Sequence, residues 1–378
     1  GSGAPPAFTY TLSGGGTILT ISQNSSGLDV VRLTVNLSTG AYEVELLNPI
    51  DHGAANNENN VGFTINYSVT DGDGDTVNGS LSISVDDDVP TVHDEARPIA
   101  ATALEDGLAL SEGDLSDGYR EGGETTASDE ASGAAGSLTA LFSVGADEPL
   151  EITLSNNTSG LPTLFSKGDA ITYSVSGNVL TATADAGGPD QRVVFTLTVN
   201  PDGSWSFDLK DQLDHVDNGV NDENYELRTS ADGSTSVGEI DFSSIILGTD
   251  ADGDSVAAAA GTFTVDVQDD VPGGDLSGTV TVHVDEDNLS ESDGDLSTGV
   301  VDADADTDEA IISSVALSAA ITDGADEPVD VALDGGVSGN VKTTGGADVK
   351  SQGDTVKWAV VDALHVVGFA DTNGDSIW

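Results

Sequence analysis

The stretch Thr70–Pro90 reads TDGDGDTVNGSLSISVDDDVP, and Thr249–Pro272 reads TDADGDSVAAAAGTFTVDVQDDVP. In both copies an acidic loop leads into a run whose apolar side chains recur at every second position: Leu81, Ile83 and Val85 in one, Phe263, Val265 and Val267 in the other. A period of two is that of a strand with one buried face. Pro then ends each run because it has no amide to donate.

Working outward, the two DDVP ends lie 182 residues apart, and the acidic loops at Asp71 and Asp250 lie 179 apart. GADEP at Gly145 returns at Gly324, LTVN at Leu33 returns at Leu197, and Asp51-His52 returns as Asp214-His215. LEDGL at Leu104 is echoed by DEDNL at Asp285, and GDAITYSV at Gly168 by GDTVKWAV at Gly353. A repeat found this way sets the architecture. The expected organisation is the C-terminal half of a unit at 1–90, a complete unit at 91–272, and the N-terminal half of a third at 273–378.

VVFTLTVNPDGSWSFDL reads as strand, Pro-Asp-Gly turn and strand, and 46 Gly punctuate the chain at short intervals. No window shows a helical stripe. The expected fold is all-β, tandem immunoglobulin-like or cadherin-like β-sandwiches. A unit of this length exceeds an immunoglobulin domain of about 100 residues. Each unit is therefore one enlarged sandwich or two small ones, with 109–136 an acidic, loop-rich insertion.

The chain of 378 residues has 67 Asp+Glu against 10 Lys+Arg, a formal net charge of -57. Self-repulsion on this scale opposes folding unless something neutralises it. Nucleic acid and anionic membranes need basic contacts and are excluded as partners; the fitting partner is a cation. With no Cys there is neither disulfide nor thiolate site. With no Met the chain does not begin at its own start codon, so the expectation is an internal piece of something longer, with Gly1-Ser2-Gly3 a vector-derived scar. No apolar run reaches the length of a membrane span.

Asp71, Asp73 and Asp75 alternate with Gly, and Asp250, Asp252 and Asp254 repeat the spacing, with a weaker echo at Asp371, Asn373 and Asp375. Gly lets such a loop bend until its carboxylates converge, and Ca2+ takes six to eight oxygens at about 2.3–2.6 Å. The spacing is not an EF-hand: the sixth position is Thr76 or Ser255 where Gly is required, and the twelfth is Ser82 or Gly261 where Glu is required. A second set lies at the module boundaries, Asp87-Asp88 and Asp269-Asp270, with Glu105-Asp106 and Glu286-Asp287 early in the following unit. If carboxylates of consecutive units share an ion, the joint stiffens. GADEP supplies a third candidate set, Asp147-Glu148 and Asp326-Glu327.

Catalytic signals are poor. No Gly-x-Ser-x-Gly elbow and no phosphate loop occurs, and an enzyme is the last reading. The repeated Asp-His reads as a structural turn or packing contact, and Trp205, Trp358 and Trp378 as core residues.

DGDGD, the run into DDVP, and LEDGL or DEDNL together resemble the tandem extender repeats of type I-secreted bacterial RTX adhesins. The resemblance covers nearly the whole chain, although the glycine-rich nonapeptide of the RTX β-roll is absent. It implies a β-sandwich stalk of a large extracellular, cell-surface protein, secreted unfolded and stiffened by Ca2+, that serves adhesion or biofilm formation. Its partners are then calcium ions and neighbouring modules of the same chain. Two other readings stay open: a sugar- or peptide-binding module using the stretch Asp114–Gly136, and a filament subunit whose tail completes the head of the next chain.

Overall fold

The alternation read in VVFTLTVNPDGSWSFDL becomes the strands Arg192–Val199 and Trp205–Leu209, antiparallel across the turn. In the computed structural model the described residues are 7–24, 26–52, 59–93, 96–120, 122–217, 223–273, 284–292, 298–300, 322, 324–326, 338–351, 353–362 and 365–370. They fall into two units, Gly1–Val271 and Pro272–Trp378. The described residues are all-β, and the helical turns among them are of three residues each.

The central layer of residues 91–271 is a six-stranded antiparallel sheet. Its order is Phe165–Ser166, Asp169–Ser176, Val179–Ala184, Arg192–Val199, Trp205–Leu209 and Glu130–Gly133. Leu180, Ala182, Ala184, Phe195, Leu197, Val199, Phe207 and Leu209 point inward and are fully buried. Two three-stranded sheets face it. One orders Glu151–Leu154, Ile246–Thr249 and Ser255–Ala257; the other orders Ile240–Asp241, Phe263–Gln268 and Ile99–Leu104. Aromatic rings join the layers: Trp205 meets Phe263 at 4.9 Å, and Phe195 meets Phe242 at 6.1 Å. Each buried aromatic contributes on the order of 1.5–3 kcal/mol.

One pairing departs from the antiparallel expectation. Ile99–Leu104 runs parallel to Phe263–Gln268, Ile99 beside Phe263 and Leu104 beside Gln268. The unit's first long strand and its last therefore finish at the same end, which decides where the acids after them meet.

The acidic stretch after Ala109 is tied to the sheet. Asp211 is fully buried; it accepts from Ser116 Oγ at 2.7 Å and from Arg192 Nε at 2.7 Å, and lies 2.8 Å from Lys167 Nζ. A buried carboxylate with this many partners is held in place.

Residues 7–90 form a smaller sandwich. Phe8–Ser13, Ile18–Gln23, Asp29–Val35 and Tyr42–Leu46 make an antiparallel meander, packed on the hairpin of Val61–Thr70 and Thr76–Val85. Its core is Ile21, Val30, Val31, Ile50 and Phe63. Part of the apolar face stays open. Tyr42 is 59% exposed, whereas Trp205, its counterpart in the repeat, is 4% exposed beneath Glu130–Gly133 and Phe263. Tyr67 is 52% exposed, whereas its counterpart Ile246 is covered by pairing with Leu154. The described residues contain no equivalent covering strands for 7–90.

In Pro272–Trp378 the strand Asp354–Asp362 pairs antiparallel with Ser338–Asn340, Lys350–Ser351 and His365–Ala370. Trp358 is half-buried there. Trp378 lies outside the described residues.

Candidate metal centre

The loop Asp71–Asp75 is the tip of a hairpin, as an Asp-Gly turn should be. One oxygen of Asp71 accepts the amides of Asp73, Gly74 and Asp75 at 3.3, 3.1 and 2.9 Å. All three acids are exposed. A hydrogen bond with the Asp73 side chain and those amides hold the Asp71 carboxyl below its ordinary range. In the second copy Asp250 accepts from Gly253 and Asp254 at 3.0 and 2.8 Å, so the backbone turn is the same. The surroundings are not. Asp250 and Asp254 are buried, and burial followed by the neighbouring Asp252 pushes Asp250 up to about 7.

The difference comes from what covers the second loop. Asp87 and Asp88 follow the last strand of the first sandwich, and the next unit brings Asp147 and Asp252 to them. Asp88 accepts the Ala146 amide at 2.7 Å, and Ala251 donates to the Asp147 carbonyl at 3.0 Å. His52 Nδ1 lies 3.0 Å from Asp87 Oδ1, and ligand atoms of His52, Asp87 and Asp252 lie within 4.8 Å of one another. Burial, then the charges of Asp252, Asp87 and Asp88 set against His52, push Asp147 up to about 6. Both carboxylate oxygens of Asp252 are shielded from solvent, and the one side chain that shares a hydrogen bond with it is the neighbouring acid Asp250.

At the other end of the complete unit the parallel strands deliver a second cluster. Glu105 and Asp106 follow Leu104, and Asp269 and Asp270 follow Gln268. Glu105 is fully buried and accepts the Leu213 amide at 2.6 Å. Asp270 accepts the Tyr119 amide at 2.7 Å, and Asp269 the Asn224 side-chain amide at 2.9 Å. Burial, then Asp270, Glu223 and Glu124, push Asp106 up to about 8. His215 lies 3.4 Å from Asp269 and 3.9 Å from Glu105. Its two ring nitrogens lie 3.0 and 3.2 Å from the carbonyls of Leu213 and Val267.

Two sequence expectations are corrected by the structure. Asp87 and Asp88 meet Asp147 and Asp252 of the following unit, whereas Glu105 and Asp106 gather with Asp269 and Asp270 of their own unit, because the strands before them are parallel neighbours. Asp147 is part of the joint and not a separate site, while Glu148 is exposed and takes no part. In both copies the side chain of the repeated histidine is buried beside the first acid of the pair before Val-Pro.

Glu286 and Asp287 sit in the turn Glu286–Asn288, a copy of Glu105–Gly107. Gly118 donates to Leu108 at 2.9 Å, and Gly299 to Leu289 at 2.8 Å. Asp326 is half-buried beside buried Ala325. Glu327 and the echo Asp371, Asn373, Asp375 lie outside the described residues. One further group, Asp114, Asp129 and Asp208, was missed in the sequence. The signal existed: Gly-Asp-Leu-Ser at 113–116 returns at 294–297, and Asp-Glu-Ala at 129–131 returns at 308–310.

The donors at the joint are chiefly carboxylates. Two unit charges 4.8 Å apart repel by roughly 3–4 kcal/mol at an effective dielectric of about 20. A divalent cation with a preference for oxygen turns that repulsion into attraction.

Residues 121–262, inside the complete unit, match the family described as Domain of unknown function (DUF5801). Comparison with curated proteins and with solved structures found no significant match.

Proposed function

We propose that this chain is an extender segment of a large secreted cell-surface adhesin, a stalk without catalysis whose modules are locked in line by Ca2+. The observation that carries this reading is the meeting of Asp87 and Asp88 from one module with Asp147 and Asp252 from the next, with Asp252 oxygens shielded from solvent among other acids. Asp87, Asp147 and Asp252 would hold the ion, with His52 beside Asp87 at 3.0 Å. Bound there, it supplies charge neutralisation and a bridge between two strands' ends. The chain's own part is to present the carboxylates: Gly145 turns so that the Ala146 amide fixes Asp88, and the Asp250 turn fixes Asp252. The resemblance to RTX extender repeats supports an extracellular setting, where calcium is plentiful, and adhesion or biofilm formation as the role of the whole protein.

The test is thermal melting with Ca2+, with Mg2+ and with chelator, joined to small-angle scattering of the same chain. An ion bound only by the folded form raises stability by about 2.7 kcal/mol at a hundred times its dissociation constant. Ca2+ should raise the melting temperature well above Mg2+ and lengthen the particle. A melting curve indifferent to chelator would end the calcium reading; raised stability with an unchanged scattering profile would end the stiffening.

A further inference from the structure

Asp114, Asp129 and Asp208 come from three separate segments: the acidic loop, the residue before Glu130–Gly133, and the strand Trp205–Leu209 beside it. One oxygen of each lies within 4.8 Å of the others. Asp114 is 5% and Asp129 3% exposed. Asp114 accepts the Ala109 amide at 3.0 Å through one oxygen, which leaves the other facing Lys210 at 3.4 Å. Lys210 Nζ also lies 2.8 Å from Asp208. Asp129 is different: its Oδ1 is wholly buried and has no hydrogen-bond partner. Glu130 adds a fourth negative charge nearby. One ammonium against this many acids leaves the cluster strongly negative, and the Asp129 carboxylate that belongs to it has a buried oxygen without a donor.

We propose that Asp114, Asp129 and Asp208 form a further divalent-cation site of the calcium class, inside the body of the unit and separate from the joint. Lys210 stands beside it as the resident counter-charge. The ion bridges the acidic loop to the six-stranded sheet, so the stretch after Ala109 becomes a pinned strap over that sheet's edge. Oxygen ligands from carboxylates alone suit Ca2+ better than a metal that seeks nitrogen or sulfur. The return of Gly-Asp-Leu-Ser and Asp-Glu-Ala in the third unit repeats two of the three ligands, at Asp295 and Asp308.

The experiment counts bound Ca2+ on the full chain by calorimetric titration and melts it with and without chelator. Asp129→Asn keeps the shape and removes the charge. It should bind one ion fewer, melt at or above the parent in chelator because a buried carboxylate is gone, and melt below it in Ca2+. Asp114→Asn provides a second variant with the same expected loss of one ion, should the first fold poorly. Lys210→Gln should bind Ca2+ several-fold tighter at this site. Asp252→Asn, at the joint, should lose a different ion and leave this one in place. Unchanged ion counts in Asp129→Asn and Asp114→Asn, with Asp252→Asn still losing its ion, would overturn this site and leave the joint standing. No calcium binding by the parent chain would overturn both.

Discussion

Removing calcium should make the stability of this chain fall as pH rises from 5 to 8, the reverse of an ordinary acidic protein. The perturbation is chelator across that range, and Asp147 sets the scale. Its carboxyl is buried and pushed up to about 6 from an ordinary 3.8. A folded-state value above the unfolded one means the folded chain holds its proton longer. The penalty is absent below pH 4, where both states are protonated, and complete above pH 6, where both are ionised. Two units at 1.36 kcal/mol each give about 3 kcal/mol from Asp147 alone. Asp250, at about 7, and Asp106, at about 8, carry the fall on toward pH 8. Each shares its environment with a second acid, Asp252 or Asp270, so their contributions belong to pairs and do not simply add.

For a unit of this size about 3 kcal/mol corresponds to roughly 6–12 °C of melting temperature. Differential scanning calorimetry at pH 4, 5, 6, 7 and 8 in chelator should show that drop, about half of the part due to Asp147 falling below pH 5. Saturating Ca2+ should abolish it, because the ion replaces the proton and binds more tightly as the carboxylates ionise. The stabilisation by Ca2+ therefore grows with pH. A melting temperature in chelator that rises from pH 5 to 8, or the same pH profile with and without calcium, would refute the reasoning.

Gly145→Ala should uncouple the joint without touching a charge. A Cβ there would lie 2.4 Å from Asp88 Oδ2 in a backbone of φ +77°, costing about 1–3 kcal/mol and weakening the calcium response in melting. Gly187→Ala, at φ +83° with open space around it, serves as the control, with a loss of about 1 kcal/mol and an intact response. Asp211→Asn should cost about 1.5–3 kcal/mol by removing the charge that Lys167 and Arg192 face, although Arg192 keeps Asp169 at 2.9 Å, equally with and without Ca2+ in denaturant melts. Phe207→Ala opens the aromatic core between the layers and should cost about 3–5 kcal/mol, seen as a lower urea midpoint at unchanged ion count.

What the sequence disclosed was local. The alternation of Leu81, Ile83 and Val85 lies on Thr76–Val85, the Pro-Asp-Gly turn joins the two strands expected of it, and the Asp-Gly loops are turns between strands. These features depend on residues a few positions apart. The parallel pairing of Ile99–Leu104 with Phe263–Gln268 joins segments more than 160 residues apart, and neither strand's pattern names its neighbour. That one pairing determines which acids meet Glu105 and Asp106. The role of His52 and His215 was hidden for the same reason, since each faces an acid brought from another segment. Asp114, Asp129 and Asp208 were hidden by abundance: among 67 acids, three from distant segments carry no local mark.

The two copies of the acidic loop separate what a sequence can specify from what only assembly creates. Their turns are alike, with the first Asp accepting the amides three and four residues on in both. Standing at an open hairpin tip, Asp71 is made more acidic by its hydrogen bond with the Asp73 side chain and by those amides. Covered by the Asp147 segment of its own unit, Asp250 is desolvated beside Asp252 and resists ionising, while Asp252 reaches His52 and Asp87 of the preceding module. The acids around the second loop are thus gathered in two steps, Asp147 from within the unit and Asp87 from the module before it. A unit that lacked its predecessor would keep Asp147 over the loop and lose Asp87 beside Asp252, which would leave the proposed calcium site at the joint incomplete.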